Sequence, residues 1–337
     1  MTPVTVLECE LYDDYVFMST PFFSVVIPLY NKENYIEKCI RSVIDQTFAD
    51  FEIIVIDDGS LDGSACLVEK VIDSRLRLLK QVNSGVAAAR NAGILAAQGK
   101  YIAFLDADDW YEKNFLKEIL DLTQDFNRCD AYATGYFRHK NGVKKDCMAY
   151  VSRQFERYVV KDFYKDWSKG AFFCASSCVV NVKYFWEKNK LFPVGESMGE
   201  DQELWFHIAE NGAIAYSNKC LSNYNQGTEN SLSFGSKITK ELPFISRLKS
   251  RLNKGDVHKF ADSARGFVER YELELSISNS VHGSKLKAIQ LLWENRDAKG
   301  WGRLKLLALA MIVVPRWFVG FIRKLRFSII EKKYNSQ

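Results

Sequence analysis

Residues 101–110 read YIAFLDADDW, a short apolar run that stops at three carboxylates. An apolar run of this length with aromatic residues predicts a buried strand. In an open α/β sheet ligands bind outside the carboxyl ends of the strands, so Asp106, Asp108 and Asp109 are expected to lie in a cleft. Neighbouring carboxylates repel one another unless a cation lies between them, and oxygen ligands suit Mg²⁺ or Mn²⁺. The stretch therefore predicts a divalent cation that bridges to a phosphorylated ligand.

A second interpretation of the same carboxylates is open at this point. A helix is expected to begin near Glu112, and carboxylates stabilise the positive end of a helix dipole. On this interpretation the acidic cluster only caps that helix.

The segments before residue 101 alternate between strand and helix patterns. Apolar runs predict strands at 24–31, 52–60 and 76–82. Apolar residues at helical spacing predict helices at 36–44, 67–72 and 85–98. The alternation predicts an α/β fold with a mostly parallel, Rossmann-like central sheet and helices on both faces. Neither G-x-G-x-x-G nor a P-loop occurs in this half, which weakens a dinucleotide-binding or ATPase interpretation.

Beyond residue 129 the pattern changes, and four parts of the chain are expected. Further strands are predicted at 130–137, 176–180 and 213–224, with a hairpin turn at 140–143. The expected parts are a dispensable leader at 1–21, with Met18 as a second possible start, an α/β domain at 22–232, a helical extension at 233–298 and a basic tail at 299–337.

The charges are distributed unevenly along the chain. The net charge is +4, but residues 299–337 hold nine Lys or Arg and one acidic residue, which gives +8 and leaves −4 for the rest. A mildly acidic body argues against nucleic-acid binding, and the basic tail indicates a local anionic partner. The eight cysteines lack the spacing of a metal site, so buried free thiols in a reducing cytoplasm are expected.

The tail combines its basic residues with apolar and aromatic ones. Residues 306–315 are apolar, but ten residues are too few to cross a bilayer core of about 30 Å. Aromatic residues interleaved with Arg and Lys predict helices that lie in an anionic membrane surface. The alternative is a C-terminal helix packed on the domain.

Five motifs follow one another along the chain: SVVIPLYN at 24–31, IDDGS at 56–60 with Asp62, NSG at 83–85 with ARN at 89–91, FLDADD at 104–109 and GED at 199–201. In this order they resemble family 2 glycosyltransferases of the GT-A fold, and the resemblance covers about residues 22–232. It implies a GT-A sheet and transfer of a sugar from a nucleotide-sugar.

The resemblance implies roles for residues on the donor side. Pro28, Tyr30 and Asp58 match positions that hold the nucleotide base, with Asp58 accepting from a uracil N–H, which favours UDP although dTDP has the same edge. Asp58 also fits a simple turn, because Asp and Gly are turn residues. Arg90 matches a position near the donor and is expected to contact either a phosphate or one of the carboxylates.

The resemblance also implies roles for the acidic residues. Asp106 and Asp108 match the Asp-x-Asp motif, in which Asp106 faces the ribose and the metal shell and Asp108 coordinates Mn²⁺ or Mg²⁺ on the diphosphate. Asp109 is expected to contact the sugar or to support the site. Asp201 matches the general base that takes the proton from the acceptor hydroxyl, which implies inversion at the anomeric carbon. The alternative is that Glu200 and Asp201 only begin a helix.

The expected function is therefore metal-dependent, inverting transfer of a hexosyl-type sugar to a lipid-linked saccharide during assembly of a cell-surface polysaccharide. The expected location is peripheral, on the cytoplasmic face of the inner membrane. The alternative is a catalytically idle nucleotide-sugar-binding or scaffolding subunit of a membrane complex, for which loss of Asp108 or Asp201 would be typical.

Overall fold

The computed structural model describes residues 20–147, 155–196, 198–227 and 237–314. Within these ranges ten strands form one sheet, in the order β3-β2-β1-β4-β9-β6-β10-β5, with β7 paired to β6 and β8 to β10. The strands are β1 (Phe23–Leu29), β2 (Phe51–Asp57), β3 (Leu76–Lys80), β4 (Tyr101–Phe104), β5 (Trp110–Tyr111), β6 (Ala131–Lys140), β7 (Val143–Asp146), β8 (Arg157–Val159), β9 (Cys178–Asn181) and β10 (Ile214–Asn225).

Helices pack on both faces of this sheet, and two C-terminal helices pack on another helix. The helices are α1 (Ile36–Ile44), α2 (Ser64–Glu69), α3 (Val86–Ala96), α4 (Phe115–Asp125), α5 (Phe163–Trp167), α6 (Val182–Glu187), α7 (Glu200–Asn211), α8 (Pro243–Lys254), α9 (Ala261–His282), α10 (Lys285–Glu294) and α11 (Gly302–Val313). The side chains of β1 alternate between the two layers, with Val26 in one apolar cluster and Val25 and Ile27 in the other. The predicted α/β architecture with flanking and C-terminal helices is confirmed.

The sheet has a parallel half and a mixed half. Strands β3, β2, β1 and β4 are all parallel, as the alternation of strands and helices predicts. Strand β9 is antiparallel to both β4 and β6, whereas β6 and β10 are parallel. The hairpin between β6 and β7 turns through Asn141 and Gly142, whose φ angles are 50° and 76°. Positive φ at both central residues is the requirement of a two-residue hairpin turn.

The prediction for α2 is wrong in its bounds. A helix was expected at 67–72, but α2 ends at Glu69, and Ile72 is fully exposed. The chain turns instead at Asp73, whose carboxylate accepts hydrogen bonds from the backbone and the guanidinium of Arg75 before β3 begins. Cys66 on α2 is also exposed, whereas a buried thiol was expected. The cysteines that the structure describes are free, as predicted.

The first two C-terminal helices share a core with the sheet. Phe244 and Leu248 of α8 and Phe267 of α9 belong to the same apolar cluster as Phe206 of α7. The ring centroids of Phe206 and Phe267 lie 5.1 Å apart. In the described part of the predicted extension at 233–298, α8 and α9 therefore pack directly on the α/β domain.

Helices α10 and α11 pack on α9 and on each other. The Ser276 hydroxyl of α9 donates to the Ala288 carbonyl of α10, and the Lys285 ammonium donates to the Ile312 carbonyl of α11. In the described ranges the helices are all too short or too polar to cross a membrane. Of the predicted leader and tail, residues 1–19 and 315–337 lie outside the described residues.

Candidate active site

A pocket of about 700 Å³ lies at the carboxyl ends of β1, β2 and β4, against the start of α7. Parallel strands present their carboxyl ends at one edge of a sheet, which brings together motifs that are far apart in sequence. All the predicted site residues line this central pocket: Pro28, Tyr30, Asp58, Arg90, Asp106, Asp108, Asp109 and Asp201.

Asp58 lines the pocket together with Pro28 and Tyr30. Its carboxylate is buried and accepts hydrogen bonds from Gln81 Nε2 at 2.7 Å and from the backbone N–H groups of Ser84 and Gly85, each at 2.8 Å. Three donors hold the carboxylate in one orientation. Asp58 therefore does more than form its own turn, because it also fixes the turn that begins α3.

Asp106 and Asp109 are linked through the Ser176 hydroxyl. This hydroxyl accepts from the Asp106 backbone N–H at 3.1 Å and donates to Asp109 Oδ2 at 2.5 Å. The other oxygen of Asp109 accepts from the Asn225 backbone N–H, and Asp109 is only 1% exposed. Burial and the nearby charges of Asp108 and Asp106 raise the pKa of Asp109 well above its usual value. Asp109 is thus linked through Ser176 to the backbone of Asp106, and it binds the backbone of β10 at Asn225.

The capping interpretation of the acidic cluster is wrong. Helix α4 begins at Phe115, and its cap residue Asn114 makes no side-chain hydrogen bond to the helix. The carboxylates of Asp106 and Asp108 contact Arg90 and Lys32 instead.

Arg90 joins the two acidic motifs. One guanidinium nitrogen lies 2.7 Å from Asp106 Oδ1, and another lies 2.8 Å from Glu200 Oε1. Arg90 is 3% exposed, and burial by itself lowers the pKa of its guanidinium. The carboxylates of Asp106 and Glu200 more than reverse this effect and raise the pKa, so Arg90 remains a cation. Of the two contacts expected for Arg90, the structure has the carboxylate contact.

Lys32 is a residue of the pocket that the sequence did not indicate. Its ammonium lies 2.7 Å from Asp108 Oδ2, and the Lys32 and Asp108 side chains are 12% and 13% exposed. Ser176 was also missed. Neither residue belongs to a pattern that would have found it, because each contact joins positions about 70 residues apart.

The acidic residues fit a divalent cation that is shared with a ligand. In the part of the chain that the structure describes, no three His, Cys, Asp or Glu side chains are grouped to hold a metal ion by themselves. Mg²⁺ commonly takes one or two protein carboxylates and completes its shell with substrate phosphates and water. Asp106 and Asp108 supply that number of carboxylates with oxygen donors only, so the donor set fits a hard cation bound together with a diphosphate.

Asp201 lies on the first turn of α7 and faces the pocket. Burial and the negative charge of Glu200 raise the pKa of Asp201 to about 7, although Arg90 opposes them. A carboxylate with a pKa near neutrality is suited to accept a proton at physiological pH. The acidic pair therefore does more than begin the helix: Glu200 binds Arg90, and Asp201 lines the cavity.

Helix α8 holds the start of α7 in place. Gly199, which precedes the acidic pair, has φ +82°, and a Cβ added there would lie 2.5 Å from Cδ1 of Phe244. The Arg247 guanidinium forms a fork on Glu196 and lies 3.1 Å from Glu203 of α7. Burial raises the pKa of Glu203, but the hydrogen bond from Lys190 and the neighbouring arginines lower it overall. Asp201 is thus positioned partly by residues of the C-terminal helices.

Part of the pocket lining is aromatic. It includes Tyr136, Trp167, Phe173 and Tyr224, and the Tyr136 and Tyr224 ring centroids lie 6.2 Å apart. The cavity is therefore lined by aromatic rings as well as by polar and charged groups.

Comparison with known proteins shows what the chain is similar to. Residues 24–187 match the family model described as Glycosyl transferase family 2. The chain is 36% identical over 138 residues to the uncharacterized glycosyltransferase EpsJ of Bacillus subtilis, an alignment that covers 40% of this chain and 39% of EpsJ. It therefore spans well under half the length of that relative.

Two further proteins match over longer regions. TuaG of Bacillus subtilis, a glycosyltransferase provisionally named for teichuronic acid biosynthesis, is 29% identical over 239 residues, which cover 69% of this chain and 90% of TuaG. The fold resembles a crystal structure of S. aureus TarS in complex with UDP-GlcNAc, with a TM-score of 0.64 and 20% identity over 85% of this chain and 83% of TarS residues 1–349.

Proposed function

This chain belongs to glycosyl transferase family 2 through its residues 24–187, and we propose that it is a metal-dependent, inverting glycosyltransferase that uses a UDP-sugar. One observation carries the proposal: Asp106 and Asp108 line the same pocket as Asp201, and Arg90 links the two motifs through Asp106 and Glu200. A group that binds a leaving diphosphate and a group that accepts a proton therefore share one cavity.

The donor proposed is a UDP-sugar whose base lies against Pro28, Tyr30 and Asp58. TarS, which shares the fold, has been crystallised with UDP-GlcNAc and with UDP. The Asp58 carboxylate already accepts three N–H groups. A carboxylate offers about four lone-pair sites, so one site is left for the N–H of a uracil ring.

Asp108 and Asp106 would hold the divalent cation, Mn²⁺ or Mg²⁺. When bound, such a cation neutralises the charge that develops on the leaving diphosphate. Cationic groups lie beside the same carboxylates: the Arg90 guanidinium is 2.7 Å from Asp106, and the Lys32 ammonium is 2.7 Å from Asp108.

Asp201 is proposed as the general base. The acceptor oxygen attacks the anomeric carbon and forms the new glycosidic bond, the bond from that carbon to the diphosphate oxygen breaks, and the acceptor proton passes to the Asp201 carboxylate. Attack from the face opposite the leaving group inverts the anomeric configuration, so an α-linked donor gives a β-linked product.

The acceptor proposed is a lipid-linked saccharide, and the transferred sugar is of the hexosyl type. The pocket lining includes aromatic residues, a type of side chain that can pack on sugars. The name of TuaG supports a role in surface polysaccharide assembly. The basic tail at 299–337 supports peripheral binding to an anionic membrane, proposed here as the cytoplasmic face of the inner membrane.

The test compares Asp108→Asn and Asp201→Asn with the exposed control Asp50→Asn. Release of nucleoside diphosphate is measured over a panel of UDP- and dTDP-sugars, with Mn²⁺ or EDTA, and donor affinity is measured by calorimetry. We expect Asp108→Asn to lose metal-dependent donor binding, and Asp201→Asn to keep donor binding but lose transfer. Donor binding by the wild type with no turnover on any lipid-linked acceptor would instead favour an idle binding subunit.

A further inference from the structure

Helix α10 presents three large apolar side chains to solvent. Leu286, Ile289 and Trp293 are 80%, 49% and 68% exposed. They recur at i, i+3 and i+7, which places them on one face of the helix. The buried residues of α10 are Ala288 and Leu291, which lie on its other side. Helix α10 is therefore apolar on both its inner and its outer face.

Helix α11 repeats this arrangement. Leu306, Leu309 and Val313 have the same spacing and are 69%, 52% and 73% exposed, whereas Ala308 is buried. Both helices pack on α9 and on each other, and each carries its triplet on the side opposite its own buried residues. We name these six residues the α10–α11 face. Exposed apolar side chains that cluster in this way mark a binding surface.

Basic residues accompany the α10–α11 face. Residues 285–314 contain six Lys or Arg and two acidic residues, a net charge of +4. Lys287, Arg296, Lys299 and Arg303 are all exposed. Large apolar side chains combined with exposed cations are complementary to the interface of an anionic bilayer, where the former enter the acyl boundary and the latter meet lipid headgroups.

We propose that the α10–α11 face docks on an anionic membrane surface. The choice of a membrane as the partner rests on the proposed function, but the contact surface does not: α10 lies outside the tail that sequence alone marks as membrane-binding. The proposed docking element is thus a folded pair of helices, α10 and α11, that pack on α9. The residues beyond Val313 follow α11 in the chain.

The test measures how the full-length protein binds vesicles made of equal parts phosphatidylglycerol and phosphatidylcholine, by flotation. The test variant is Leu286→Ser, Ile289→Ser and Trp293→Ser together. The matched control replaces three exposed apolar residues on the α/β domain: Ile72→Ser, Leu95→Ser and Val194→Ser. We expect the α10 variant to bind at least about tenfold more weakly and the control to stay within about twofold of the wild type.

A second variant tests the charges. Replacing Lys287, Lys299 and Arg303 by Gln is expected to weaken vesicle binding about fivefold for each charge removed, and high salt should have a similar effect. Equally tight binding of the wild type to vesicles of phosphatidylcholine alone would contradict the anionic part of the proposal.

Two results would overturn the proposal. One is an α10 variant that binds vesicles as tightly as the wild type. The other is a wild-type protein that does not bind vesicles but dimerises in sedimentation velocity, while the α10 variant stays monomeric. That result would assign the α10–α11 face to contact with a second copy of this chain. Retained UDP binding shows that a variant is folded. Loss of vesicle binding with UDP binding intact supports docking even if no transferase activity is found.

Discussion

The ammonium of Lys32 lies 2.7 Å from Oδ2 of Asp108, and the two residues are 76 positions apart in the sequence. Asp108 is the residue proposed to coordinate a divalent cation. The ammonium and the metal ion are both attracted to the same carboxylate, so they compete for it.

Lys32→Met is therefore expected to bind Mn²⁺ more tightly than the wild type when no nucleotide is present. The gain should be about fivefold, the size of an ion pair worth roughly 1 kcal/mol. Titration of free Mn²⁺ by electron paramagnetic resonance measures it. Lys38→Met is the control, because the Lys38 ammonium contacts the Trp110 ring. Unchanged or weaker Mn²⁺ binding by Lys32→Met would contradict the competition.

Much of the fold could be predicted because its central strands carry strong local patterns. β1, β2 and β4 are buried along their whole length, so their apolar runs are continuous and end at polar residues. The edge strands β5 and β8 have two and three residues, too few for a pattern to be seen. Helix α2 was misplaced because Val71 and Ile72 continue the apolar spacing into a turn.

The motif residues of the candidate site could be predicted from the sequence, but the residues that contact and position them could not. Asp106, Asp108 and Asp201 could be predicted to lie in the pocket because they follow a strand or begin a helix, within motifs in a recognisable order. The contacts of Ser176 and Lys32 depend on how distant segments pack, which no local pattern encodes. Arg247 was missed as well, although its helix repeats apolar residues at Phe244, Leu248 and Leu252, a signal that α8 packs on the domain.

The pKa of Asp201 predicts the pH dependence of transfer. A general base must be ionised, so the reaction is slow below the pKa of about 7 and fast above it, and kcat/KM should rise with pH to a plateau. Glu200→Gln removes a negative charge that raises this pKa. We expect the midpoint to move down by roughly half a unit or more. The exposed variant Glu37→Gln is the control, and an unshifted midpoint in Glu200→Gln would count against Asp201 as the base.

The Ser176 hydroxyl is expected to stabilise the fold as well as the motif. Ser176→Ala leaves Asp109 Oδ2 without a donor and the Asp106 N–H without an acceptor. Its free energy of unfolding should fall by about 1–3 kcal/mol, measured in urea. Ser263→Ala, which loses one bond to the Phe260 carbonyl, should change by less than about 0.5 kcal/mol. Equal losses in the two variants would refute a special role for Ser176.

Gly199 is expected to tolerate no side chain. In Gly199→Ala the Cβ meets the Phe244 ring and the residue keeps φ +82°, so the start of α7 must move. Transfer should fall about tenfold or more, because small displacements of a catalytic group are costly. Gly195→Ala is the matched control: its φ is +85°, with open space around the added Cβ.

Phe244→Leu provides a further test of that contact. Added to Gly199→Ala, it removes part of the clash and should restore part of the lost activity, although the cost of the positive φ remains. A double-mutant cycle on kcat/KM measures the coupling. Additive losses would mean that Phe244 and Gly199 do not act on each other.

Helix α9 has a consequence for which acceptors can be reached. Its 22 residues extend over about 33 Å. Phe267 lies in the core shared with α7, and Arg270, Glu272 and Ser276 contact Trp301, Asn295 and Ala288 of the segment that holds α10 and α11. A continuous helix, unlike a flexible linker, does not change its length. With the α10–α11 face resting on a bilayer, the packing of both the α/β core and the docking helices on α9 would fix the height of the pocket above the lipid. Saccharides too short to reach that height would then go unextended, whatever their chemistry.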